Sequence, residues 1–147
     1  MRRFVIAILF IALQVTIFVK PAFAGEEVWE SISKKTIFFG PVVKACGDGK
    51  VISYRTQYET TKYNGTLSIT GTTGCGTERV NIVGSFNDAS EDGSEQCIGR
   101  LELSLGVPPD SVGGNGSAKW SSIRAAPGQS CLSPSSPFSL QLTQTGP

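Results

Sequence analysis

The segment YNGTLSITGTTGCGTERVNIVGSF, residues 63–86, sets the expectation for the whole chain. Tyr63, Leu67 and Ile69 occupy odd positions with Thr66, Ser68 and Thr70 between them, and Val80, Ile82 and Phe86 occupy even positions further on. Alternation of this kind is the period of a strand with one wet and one buried face. Folding the two runs antiparallel about Gly74 and Cys75 opposes Ile69 to Val80, Leu67 to Ile82, Gly65 to Gly84 and Tyr63 to Phe86, which gathers the apolar side chains on one face. A two-residue loop that begins with glycine suits a type II′ turn. A slip by one residue would carry the apolar set into water.

The same period recurs on both sides of this hairpin. Before it, Ile52, Tyr54, Thr56 and Tyr58 alternate with Ser53, Arg55 and Gln57, and residues 36–39 form a short β-prone run stopped by Gly40 and Pro41. After it come Leu101, Leu103 and Leu105, then Ala118 and Trp120, then Phe138, Leu140 and Leu142. Residues 26–33 fit a helical face and a strand equally well. Residues 87–96 (NDASEDGSEQ), 106–116 and 125–137 read as loops, being rich in Gly, Pro, Asn, Asp and Ser. Seven or eight short strands with turn signals about every 8–12 residues predict an all-β domain, either a small antiparallel sandwich or a closed barrel. A bacterial outer-membrane barrel fits poorly on length, since its strands need about 9–11 residues.

The beginning of the chain predicts where this domain works. Arg2 and Arg3 precede an apolar run, residues 4–19, and Ala22-Phe23-Ala24 is a small-x-small cleavage site. Residues 1–24 therefore read as a secretory signal peptide, leaving one exported domain, 25–147, in a periplasm or outside the cell with no membrane span. Losing Arg2, Arg3 and Lys20 from 13 basic residues leaves 10 against 12 acidic ones, a net charge of −2. That balance gives no electrostatic reason to expect nucleic acid as a partner.

Four cysteines, Cys46, Cys75, Cys97 and Cys131, remain in the exported part, with no C-x-x-C pair and no histidine in the chain. An exported chain with that pattern predicts two disulfides rather than a zinc site. Three pairings are open. Cys46–Cys75 with Cys97–Cys131 is favoured, because each closes a moderate loop and Cys75 lies at the hairpin tip. Each bridge would stabilise the fold by roughly 3–4 kcal/mol on chain-entropy grounds.

The absence of histidine excludes a Ser-His-Asp or Cys-His arrangement. Paired-carboxylate chemistry remains open to Glu59, Glu78 and Glu102, although Glu102 alternates outward between Leu101 and Leu103. Asp88, Ser90 and Asp92, followed by Gly93, reproduce the first half of a calcium loop. Its second half departs from the pattern: Gly99 stands where a bidentate glutamate belongs, so Glu95 and Glu91 would have to supply oxygens in its place, and a solvated hairpin loop competes with the calcium reading. Tyr54 and Tyr58 share one strand face and offer rings for stacking a ligand, or else mark the core side of that strand. Trp29 and Trp120 read as buried anchors. Asn64-Gly65-Thr66 and Asn115-Gly116-Ser117 match glycosylation acceptors and are also ordinary turn formers.

The expectation is an exported, non-catalytic module that binds a macromolecule or glycan through its loops and needs no cofactor, calcium being the weak exception. Its first alternative is a secreted enzyme inhibitor that uses the braced loop 125–137 as a plug. The second is a carboxylate-based hydrolase.

Overall fold

Nearly every run of this chain has one apolar face, and eight such strands can bury that face by closing on themselves. The computed structural model describes residues 27–31, 33, 35–40, 42, 46–106, 113–132 and 137–146. The predicted signal segment lies outside these residues. The strands are β1 (Val28–Ser31), β2 (Thr36–Phe39), β3 (Val51–Tyr58), β4 (Thr61–Thr73), β5 (Arg79–Ser90), β6 (Gln96–Gly106), β7 (Asn115–Ala125) and β8 (Phe138–Gly146). Each pairs antiparallel with the next, and β8 returns to β1, so the sheet is a closed eight-stranded barrel with no helix among the described residues. Residues 26–33, ambiguous in sequence, contain strand β1.

The interior is filled by side chains. Trp29, Phe38, Tyr54, Leu67, Ile82, Leu101, Leu103, Leu105, Trp120 and Leu142 are all nearly inaccessible. Large residues fit because small ones face them. Gly65 lies across from Tyr54, Gly84 stands between Ile69 and Leu101, and Gly99 lies across from Phe86. Trp120 stacks on Phe138 with ring centroids 5.0 Å apart and meets Tyr54 edge-on at 6.1 Å. Both tryptophans are the anchors that the sequence predicts.

The outer face is polar. Ser53, Arg55, Lys62, Asn64, Thr66, Ser68, Asn81, Ser85, Asn87, Lys119 and Gln141 all point to solvent. Four strands exceed ten residues, so the length argument against a membrane barrel fails. The distribution of polarity supplies the sounder argument, because membrane barrels are apolar outside and polar within, and this one has the reverse arrangement.

The 63–86 hairpin forms with its faces as predicted and its register displaced. Leu67 pairs with Phe86 rather than Ile82, Ile69 with Gly84 rather than Val80, Gly65 with Asp88 rather than Gly84, and Tyr63 with Ser90 rather than Phe86. The turn is also longer than the two residues Gly74 and Cys75, because β4 ends at Thr73 and β5 begins at Arg79. Within it the Thr77 N–H donates to the Gly74 carbonyl at 3.0 Å, and Gly74 and Gly76 have φ of 76° and 78°. A bulge between Ile69 and Gly71 absorbs one more residue. The slip is an even number of residues up to that bulge, so Tyr63, Leu67 and Ile69 stay inside.

Both disulfides have the favoured pairing, Cys46–Cys75 and Cys97–Cys131, spanning 29 and 34 residues. They fasten opposite rims of the barrel. One ties the segment before β3 to the β4–β5 turn, and the other ties β6 to the segment after β7.

Candidate functional site

The rim carrying the β3–β4 turn, the β5–β6 turn and the segment between β7 and β8 is one place where the barrel departs from an apolar interior. The acidic stretch 87–96 is mostly strand: β5 runs through Ser90, β6 starts at Gln96, and only residues 91–94 turn. Continued alternation along β5 therefore points Asp88 and Ser90 inward, and both are buried. Loop-forming composition is overridden here because the interior provides partners.

For Asp88 and Glu95 those partners are phenols. The Tyr54 hydroxyl donates to Asp88 and accepts from the Trp120 indole N–H at 3.4 Å. The Tyr63 hydroxyl donates to Glu95, whose other carboxyl oxygen accepts from the Leu132 N–H at 3.1 Å. Burial raises the Asp88 carboxyl to about 7 and outweighs the hydrogen bond from Tyr54, which pulls the other way. Tyr54 is held well above its ordinary value, first by burial and then by the charge of Asp88. Tyr63 is raised too, by burial and then by its bond to Glu95. Asp88, Tyr54 and Tyr63 are thus weak acids that favour their protonated forms.

Gly65 makes the Tyr54–Asp88 contact possible. A Cβ at this position would overlap the Tyr54 ring and press on the Asp88 carboxyl. Gly65→Ala is therefore expected to cost about 3 kcal/mol, the upper end of overpacking. The neighbouring Asn64→Ala, on the wet face, should stay within about 0.5 kcal/mol. Denaturant titration of the two variants checks this, and equal midpoints would show that the ring and the carboxyl do not meet over Gly65.

The second feature of this rim is the segment that follows β7. Cys131 is bonded to Cys97. The Ala126 N–H donates to the Gln96 carbonyl at 2.9 Å, and the Gln96 N–H donates to the Ser130 carbonyl at 2.9 Å. With the Glu95–Leu132 bond, residues 126–132 of the segment are held at their start, middle and end. The Leu132 side chain is 78 % exposed.

No protein-family model, curated protein or solved structure matches this chain. The reading of function accordingly rests on the geometry of the chain itself.

The structure separates the residues proposed as sites from sequence. Of the calcium candidates, Asp88 lies on Tyr54 and Glu95 on Tyr63. Asp92 stays in the turn and accepts from the Ser90 hydroxyl at 2.8 Å and from the Ser94 hydroxyl and N–H at 2.7 and 3.0 Å. These bonds, led by that from the Ser94 hydroxyl, lower the Asp92 carboxyl to about 2. Among the described residues no three acidic, cysteine or histidine side chains are grouped to hold a metal ion. Tyr54 is a core residue and Tyr58 is half-buried against the core, so neither ring forms an exposed stacking face. Glu59 lies in the β3–β4 turn, Glu78 in the β4–β5 turn at the other rim, and Glu102 in the middle of β6, so these three carboxylates do not converge. Both Asn-Gly pairs lie inside strands β4 and β7 rather than in turns. Sequence reasoning missed the pairing of two carboxylates with two tyrosines; the continued alternation Phe86, Asp88, Ser90 was its only trace.

Proposed function

We propose that this protein is an exported, non-catalytic binding module that meets a macromolecular partner with the braced segment between β7 and β8. The observation that carries this reading is an apolar side chain held out to solvent on a backbone fixed at several points. Such a loop loses little conformational freedom on binding, and that saving appears as affinity. Export is supported by the signal-like N-terminus and by two disulfides, which persist in oxidising compartments. No described helix is long and apolar enough to cross a membrane. Asp88 and Glu95, two of the three buried carboxylates among the described residues, are each engaged by a tyrosine, which suits a structural layer better than a reaction centre.

The test is capture from the native exterior with the isolated protein and with Leu132→Ser. Loss of a buried leucine contact corresponds to about tenfold or more in affinity, so a stoichiometric partner retained by the wild type should be largely lost by the variant, with the melting temperature unchanged. Identical retention by both proteins would remove the loop from the interface. The same loop also suits the inhibitor reading, since a rigid apolar tip can occupy an enzyme's cleft. A captured enzyme inhibited by the wild type and not by Leu132→Ser would select that version.

A further inference from the structure

A second surface lies on the wall of the barrel, away from the braced rim. Strands β4 to β7 carry a depression of about 500 Å3 on their outer face, within the range of small-ligand sites, about 300–1,000 Å3. It arises at the β4 bulge, where Gly71 has no side chain to cover Val83. The register brings short polar side chains together from four strands. Asn81, Ser104 and Ser117 form one row across β5, β6 and β7, while Glu102 and Lys119 stand side by side in the next.

The charges around it are unbalanced. The Arg100 guanidinium donates to the Glu102 carboxylate at 2.9 Å, and this is the one ion pair found among the described residues. Arg79 donates to the Ser104 hydroxyl at 3.0 Å from the edge of the depression. The lining carries Arg100 and Lys119 against Glu102, one positive charge in excess, and Arg79 at the edge adds a second, in a chain with 13 basic and 12 acidic residues overall. Those two charges call for an anion.

The backbone narrows the choice. The β5–β6 and β6–β7 ladders are paired throughout the depression, so no strand edge is free for an extended peptide to join. What the surface offers is hydroxyls and an amide, groups that donate and accept as sugar hydroxyls do. We infer that the outer face of β4–β7 binds an acidic glycan, its carboxylates held by Lys119 and Arg79 and its hydroxyls by Asn81, Ser104 and Ser117.

Titration calorimetry of the intact protein tests this with three probes of equal length, a uronic-acid hexasaccharide, a neutral hexasaccharide and hexaglutamate. The uronide is expected to bind in a one-to-one, saturable manner at about 0.02 M salt and several-fold more weakly at about 0.3 M, where exposed charges are screened. Lys119→Glu and the milder Lys119→Ser should each weaken it, the former by at least about fivefold, with melting temperatures unchanged. Leu132→Ser should bind it as the wild type does, so that failure on the wall and failure at the rim are read separately. The assignment is overturned if the uronide does not bind, if the neutral sugar binds as well, if Lys119→Glu has no effect, or if hexaglutamate binds more tightly, which would give the face to acidic peptides.

Discussion

Leu67→Asp is expected to destabilise the protein by about 5 kcal/mol, while Ser68→Asp, one residue away, changes stability by no more than about 0.5 kcal/mol. Leu67 is completely buried on β4 between Ile52 of β3 and Phe86 of β5. Shortening its side chain opens a cavity, and the carboxylate that replaces it meets no buried cation among the described residues. Ser68 lies between Val51 and Ser85 on the polar outer face, where a carboxylate remains hydrated. Against a typical total of about 5–15 kcal/mol, the first variant loses much of its folded population and the second does not. Chemical unfolding of both decides it, and a Ser68→Asp cost as large as that of Leu67→Asp would reverse the two faces of β4.

The second large effect is a stability that falls as pH rises. The Asp88 carboxyl titrates at about 7 in the folded protein against 3.8 for the free group. Between those values the folded chain holds a proton that the unfolded chain has released, so raising the pH favours unfolding. The linkage is about 1.4 kcal/mol per pH decade, so on the order of 4 kcal/mol is lost from about pH 4 to about pH 7, with no further loss from this group above that. Tyr54 of β3 and Tyr63 of β4 face Asp88 and stay protonated throughout, and Glu95 is the other carboxyl in this layer. Asp92, lowered to about 2, acts with the opposite sign and only below 3.8, outside this window. Urea midpoints measured across the window should fall for the wild type and stay nearly level for Asp88→Asn, which keeps an acceptor for the Tyr54 hydroxyl. A wild-type profile as level as that of Asp88→Asn would mean that Asp88 folds already ionised.

What the sequence revealed and what it concealed both follow from the range of the forces involved. Alternation at Leu67, Ile82, Leu101, Leu103 and Leu105 is a local property, and each of these residues is inside. The disulfide pairing was legible because Cys75 sits at a turn whichever register the hairpin takes. Register itself was not legible, because it depends on how many residues a turn consumes, and the bulge before Gly71 has no local marker. Asp88 and Glu95 read as wet because their composition is that of a loop. Their partners, Tyr54 and Tyr63, come from strands 32 or more residues earlier. The wall depression was hidden for a related reason: it takes residues from four strands, and a hairpin displaced by five positions beyond the bulge places Asn81 beside the wrong neighbours.

Closure of the barrel also determines how the protein can be displayed. Val28 pairs with Gly146 across the β1–β8 seam, so the two ends of the barrel sequence leave from a single rim. An odd number of passes separates that rim from the segment after β7, which places Leu132 at the opposite pole. A tether attached at either end therefore holds the molecule upright with Leu132 farthest from its support and the β4–β7 wall free along its side. An immobilised layer prepared through either terminus would be uniformly oriented with both proposed surfaces accessible.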